Sequence, residues 1–195
     1  VEHVLTNSTI TNPDNGAIGE AYIGGVVGYG NGLINKVANL GNINLGSNLS
    51  FAGLTVNAQY QIGGILGGSS ESGLTLKDAI NEGNITGLGT TAAFTSNLGN
   101  IEVAIGGIIG QLNNSTSTNN SVYLVTNDGT ISSNRFDGAA SQLCSVYVSG
   151  IIGNVIGKSG ELGSGSQVLN GQYENNGLIK YDGEIIDDDK IFYER

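Results

Sequence analysis

Residues 60–68 read YQIGGILGG, a stretch that is apolar and yet nearly half glycine. The residues before the glycines alternate, so Tyr60 and Ile62 are predicted to face a core and Gln61 to face outward. Glycine weakens the interior of a strand, and it therefore often marks a bend or a close approach of two backbones. The stretch predicts a half-buried strand that bends at its glycines.

The same pattern occurs four times along the chain. The copies are IGGVVG at 23–28, IGGILG at 62–67, IGGIIG at 105–110 and VSGIIG at 148–153, at steps of 39, 43 and 43 residues. A fixed period of this size is typical of repeat architectures. The motif residues predicted to be structural are Gly24, Gly25, Gly28, Gly63, Gly64, Gly67, Gly106, Gly107, Gly110, Gly150 and Gly153.

A second motif, Asn-x-Gly-x-Ile, alternates with the first. Its copies begin at Asn39, Asn81, Asn127 and Asn175 and contain Gly41, Gly83, Gly129 and Gly177. Asn and Gly tolerate positive φ, so the motif is interpreted as a sharp corner that leads into a strand. If the corners stack, the four asparagines are predicted to form an amide ladder. TNSTI (6–10) and YDGEI (181–185) are interpreted as degenerate end copies.

These patterns predict an all-β fold, a β-solenoid of the parallel β-helix type with about four imperfect repeats of 39–48 residues. Whether each repeat is one wide coil or two coils of about 20 residues stays open, and a β-sandwich is the alternative fold. The expected solenoid domain covers residues 1–186, and residues 187–195, with Asp187 to Asp189, are expected to be an acidic tail or linker to a further domain. The column Glu20, Gln59, Glu102 and Ser145 is expected to be a solvated face.

The spacing between the two motifs grows along the chain. From the first motif residue to the corner asparagine it is 16, 19, 22 and 27 residues. The polar insertions at 68–73, 113–120 and 157–167 are therefore predicted to be loops at one edge. These loops, together with an exposed Tyr22 and Tyr147, are the candidate binding surface.

Composition limits the classes of partner. The formal net charge is -10, and seven Lys and Arg are spread along 195 residues, which argues against a nucleic-acid partner. No apolar run approaches the roughly 20 residues of a spanning helix, so no membrane insertion of this segment is expected. The absence of Met predicts a segment of a larger protein.

Candidate chemistry is sparse. GNVIGKS (153–159) has one residue too few for a phosphate-binding loop. The lone Cys144 is expected to be a packing residue, and an adjacent aspartate triplet cannot easily converge on one calcium ion. The sequence therefore predicts no catalytic residue, no cofactor and no metal site.

The two motifs in this order resemble the GLUG-motif repeats of bacterial surface proteins, which occur in IgA1-protease-type zinc metalloproteases and in adhesins. The resemblance covers residues from about 19 to 181, with Ser149 replacing the first glycine of the fourth copy. It implies a non-catalytic module on the bacterial cell surface or secreted, acting as a rigid spacer or adhesin segment. Host protein or glycan are the candidate partners, and self-association is a further candidate. A carbohydrate-active β-helix enzyme is the alternative function.

Overall fold

The computed structural model describes residues 1–12, 20–45, 58–90, 101–114, 120–136, 144–157, 167–168, 172–185 and 192–194. All regular secondary structure in these ranges is β-strand. The strands are β1 (Glu2–Thr6), β2 (Ile10–Asn12), β3 (Glu20–Gly24), β4 (Val27–Asn39), β5 (Ile43–Leu45), β6 (Ala58–Gly63), β7 (Leu66–Asn81), β8 (Ile85–Thr90), β9 (Ile101–Gly106), β10 (Ile109–Asn114), β11 (Ser121–Asn127), β12 (Ile131–Phe136), β13 (Cys144–Ser149), β14 (Ile152–Gly157), β15 (Gln167–Val168), β16 (Tyr173–Asn175), β17 (Ile179–Tyr181), β18 (Glu184–Ile185) and β19 (Phe192–Glu194). The predicted all-β class is confirmed.

The strands form three curled sheets. Sheet A has the order β1-β4-β7-β10-β14, and β11 extends it by pairing with β7, β15 and β16. Sheet B has the order β18-β17-β12-β8-β5-β2, and sheet C the order β19-β13-β9-β6-β3. Pairing in the described ranges is parallel except where β18 and β19 pair antiparallel with β17 and β13. Parallel pairing is compatible with a β-solenoid and is atypical of a β-sandwich, whose sheets are antiparallel.

The register relates each repeat to the next. Tyr22 pairs with Gln61, Gln61 with Ala104 and Ala104 with Tyr147. Asn39 likewise pairs with Asn81, and Asn81 with Asn127. Because one whole repeat separates paired residues, each repeat passes through the three sheets once. This register is compatible with one wide coil per repeat.

The apolar interior has two lobes. The first lies between sheets B and C and contains Ile43, Leu45, Ile85, Ile131, Ile179 and Tyr181 from sheet B with Tyr60, Ile62, Val103, Ile105, Val146 and Val148 from sheet C. The second is enclosed by sheet A and the turns that enter it, with Leu66, Leu76, Ile109 and Val125 among its strand residues and Ile65, Ile108 and Ile151 in the turns. The alternating apolar positions predicted before the glycine motifs are therefore the sheet C wall of the first lobe.

Two local predictions are wrong. The predicted loop at 68–73 lies inside β7, because its short insertion is absorbed as a bulge opposite Gly30 and Gly32 of β4. YDGEI is not a repeat copy, because Asp182 and Gly183 have positive φ and turn the chain back into the antiparallel strand β18. The copy at the other end is in register, since Thr6 pairs with Asn39 and Ile10 with Ile43.

A column of left-handed residues bends sheet A. His3, Lys36, Asp78 and Leu124 have φ between 51° and 55° and stand at equivalent positions in successive coils. Side chains with a Cβ strain the left-handed conformation. Its recurrence at one position indicates that the coil path requires a bend there.

Candidate functional site

The corner asparagines form a hydrogen-bonded ladder through the interior. Asn39 Nδ2 donates to Asn81 Oδ1 at 2.8 Å, Asn81 Nδ2 to Asn127 Oδ1 at 2.8 Å, and Asn127 Nδ2 to Asn175 Oδ1 at 2.6 Å. Thr6 Oγ1 donates to Asn39 Oδ1 at 3.0 Å and begins the series. Every donor points toward the following repeat, so the ladder has one direction.

Each ladder side chain also closes its own corner. Asn81 Nδ2, for example, donates to the carbonyl oxygen of Gly83 at 2.9 Å. Asn81 is 0% exposed, so these partners replace the water that its amide would otherwise bind. The ladder therefore satisfies polar groups that the coils bring into a dry interior.

The second glycine of each motif packs against the ladder. A Cβ built on Gly25 would lie 2.5 Å from Asn39 Cγ, and one on Gly64 would lie 2.3 Å from Asn81 Cγ. The equivalent contacts are Gly107 with Asn127 and Gly150 with Asn175, both at 2.4 Å. The two sequence motifs are thus the two sides of one contact, which lies between the apolar lobes.

The remaining motif glycines allow close backbone approach. A Cβ on the first glycine (Gly24, Gly63 or Gly106) would lie 1.8–2.0 Å from the carbonyl oxygen three residues later. A Cβ on the last glycine would meet backbone atoms, as Gly28 meets Tyr22, Gly67 and Gly110 meet the preceding coil, and Gly153 meets Ile105 and Gly110. A Cβ on a corner glycine would lie 2.0–2.2 Å from a backbone carbonyl oxygen of the preceding coil, and this holds for Gly41, Gly83, Gly129 and Gly177. Positive φ in the described glycines is confined to Gly32 and Gly183, so the corner glycines turn the chain without using their tolerance of positive φ.

A polar seam joins the outward side of sheet C to the start of sheet A. Gln61 is 4% exposed, which contradicts its predicted outward position. Its side chain occupies the space beside Gly68, where a Cβ would lie 2.0 Å from Gln61 Oε1. Gln61 Nε2 donates to Gln111 Oε1, and Gln111 Nε2 donates to Glu102 Oε1 at 2.6 Å. Glu102 also accepts from Asn154 Nδ2 at 3.2 Å, so this part of the column is not a simple solvated face.

Tyr22 and Tyr147 stand at the two ends of the parallel-paired column that contains Gln61, and Tyr147 pairs further with Tyr193 of the antiparallel strand β19. Both are half-buried rather than exposed as predicted. Tyr22 packs on Tyr29 with ring centroids 4.5 Å apart, which places it in the seam. Burial, followed by the nearby Glu20 and Tyr29, raises the pKa of Tyr22.

A surface cavity of about 510 Å³ lies on the outer face of sheet A. Its walls come from β7, β11 and β16 in three successive repeats and include Asp78, Ile80, Leu124, Thr126, Tyr173 and Glu174. Sequence reasoning missed this cavity because its residues are about 46 residues apart from strand to strand. The sequence did offer one indication of the cavity. Ile80 and Leu124 are apolar at exposed positions of β7 and β11.

The described ranges contain no group of three or more His, Cys, Asp and Glu side chains placed to hold a metal ion. They also contain no helix with the length and apolarity needed to cross a membrane. The predictions for the Cys144 side chain, residues 187–189 and most of the 113–120 and 157–167 loops lie outside what the structure describes. Residues 192–194 of the predicted tail form β19 on sheet C.

Comparison of the chain with protein-family models, curated proteins and solved structures finds no match.

Proposed function

We propose that this chain is a non-catalytic β-solenoid module of about four coils, exported to the bacterial cell surface, that presents a rigid ligand-binding face. The observation that carries the proposal is the directional ladder from Thr6 to Asn175, which links every repeat through its interior. The GLUG-like motif order supports the location. Each motif residue has a packing role, which leaves the outer faces free to vary.

The dimensions of the fold favour a binding role over a spacer role. Four coils spaced at about 4.8 Å extend only about 19 Å along the solenoid axis. A helix of roughly 13 residues spans the same length, so 195 residues make an inefficient spacer. The same chain makes wide coils of 39–48 residues, and therefore broad outer faces. An adhesin role uses this geometry better than a spacer role does.

The test is a binding screen of the immobilised chain against host extracellular proteins and glycans. We expect a ligand whose binding survives substitutions in the interior that leave the fold intact and is lost on substitutions of the outer face. Parallel incubation with a polysaccharide panel separates this function from a lyase or hydrolase. If the purified protein produced new polysaccharide chain ends, the non-catalytic proposal would be overturned.

A further inference from the structure

The cavity on sheet A is built by two neighbouring rows of side chains. Ile80, Thr126 and Glu174 are directly paired across three parallel strands. Asp78 and Leu124 form the row beside them. Tyr173 on β16 stands in the column of the buried Val125 and is itself exposed, so it lines the cavity on the last coil. The volume of about 510 Å³ is within the range typical of sites for small ligands.

The polar groups stand apart from one another. Asp78 and Glu174 lie two strands apart, which is about 10 Å across the sheet. A single ammonium, guanidinium or metal ion therefore contacts one carboxylate at most. Lys, Arg and His are all missing from the lining of this cavity, so nothing in it compensates an anionic ligand. The arrangement favours a neutral ligand with hydroxyl donors spread along its length.

The centre of the cavity is apolar and open. Tyr173 is 53% exposed, Leu124 42% and Ile80 41%, which is unusual for three neighbouring large side chains. A sugar ring has one face of C–H groups that packs on an aromatic ring, and an edge of hydroxyls that donate to carboxylates. Thr126 adds a hydroxyl that both donates and accepts.

We propose that this cavity binds a short neutral oligosaccharide, with one ring packed on Tyr173 and hydroxyls donating to Asp78 and Glu174. The proposal rests on the ligand-binding part of the proposed function. It adds the ligand class and the surface. Its failure would leave the surface-display proposal to be tested with protein ligands.

The test is NMR titration of the isotope-labelled chain with cellotriose, maltotriose, triacetylchitotriose and lactose. We expect at least one of them to shift the amide signals of Leu124, Thr126 and Tyr173. Tyr173→Ala is expected to weaken binding about tenfold or more, which corresponds to roughly 1.4 kcal/mol. Tyr29→Ala is the matched control, because Tyr29 is also about half exposed, at 51%, but lies outside the cavity.

Thr126→Val keeps the shape of the side chain and removes its hydroxyl, so it tests the site without truncating an aromatic ring. Unchanged spectra with all four sugars would overturn the proposal. Shifts at these residues with sialyllactose alone, or with a Lys-Gly-Lys peptide alone, would overturn it as well, because the ligand would then be charged. Equal weakening by Tyr173→Ala and Tyr29→Ala would place the sugar elsewhere.

Discussion

Replacement of Asn81 by alanine is the most direct test of the ladder. Asn81 accepts from Asn39 Nδ2 and donates to Asn127 Oδ1 and to the carbonyl oxygen of Gly83. Asn39 Nδ2 keeps its second bond, to Gly41, in the variant, whereas the two acceptors lose the donor that Asn81 supplies. A buried group left without a partner costs about 1–3 kcal/mol. Two such acceptors mean that Asn81→Ala is expected to lower the free energy of unfolding by about 2–6 kcal/mol, a large part of a typical domain's stability.

Asn84→Ala is the matched control, three residues along the same corner. Asn84 is exposed, and its Oδ1 accepts from the Thr130 amide at 2.8 Å. Water can replace this bond, so the expected loss is below about 1 kcal/mol. Urea unfolding followed by far-UV circular dichroism measures both variants. A loss for Asn81→Ala no larger than that for Asn84→Ala would refute the view that the ladder stabilises the interior.

Three further perturbations test other parts of the fold. Gly64→Ala is expected to lower the free energy of unfolding by more than about 4 kcal/mol or to prevent folding, because its Cβ would overlap backbone and ladder atoms. The control Gly30→Ala is expected to be nearly neutral, because its Cβ meets only one side-chain atom at 3.7 Å. Thermal denaturation compares the two variants. Lys36→Gly is expected to raise stability by up to about 1 kcal/mol, because glycine adopts the φ of 52° at this position without strain. Lys77→Gly in the same sheet is expected to lower stability. If Lys36→Gly does not raise stability, the backbone at this position is not strained. Burial raises the pKa of Tyr60 from 10.0 to about 12, so the unfolded chain loses this proton at lower pH than the folded chain. Stability is therefore expected to fall between pH 10 and 12, by at most about 1.4 kcal/mol per pH unit. If the stability of Tyr60→Phe falls by the same amount over this range, Tyr60 is not the cause.

The parts of the coil that could be predicted from the sequence are those set by local alternation or by a recurring motif. Alternation placed Tyr60 and Ile62 in the core, and the recurrence of Asn-x-Gly-x-Ile placed Asn81 beside Asn127 in the ladder. These features follow from periodicity and from the hydrogen-bonding needs of an amide. Neither depends on knowing which strands fold back on each other.

The parts that escaped prediction depend on contacts between distant segments. Gln61 alternates as an outward residue, yet the strand after the turn folds back over it, and the missing side chain of Gly68 leaves it room. Lys36 and Leu124 take a left-handed conformation although neither residue type favours it. The cavity around Tyr173 required the coil length, which only the register supplies.

The contact between the second glycine and the ladder allows the chain between the two motifs to lengthen without changing how the coils stack. The chain between the two motifs lengthens from 16 to 27 residues, yet the distance from the glycine's would-be Cβ to the asparagine Cγ stays at 2.3–2.5 Å. Extra residues therefore enter between two points that are clamped together, and they leave the stacking of the coils unchanged. Such a fold can acquire new recognition sequences by evolution or by grafting at these positions, one coil at a time, without a new interior being needed for each.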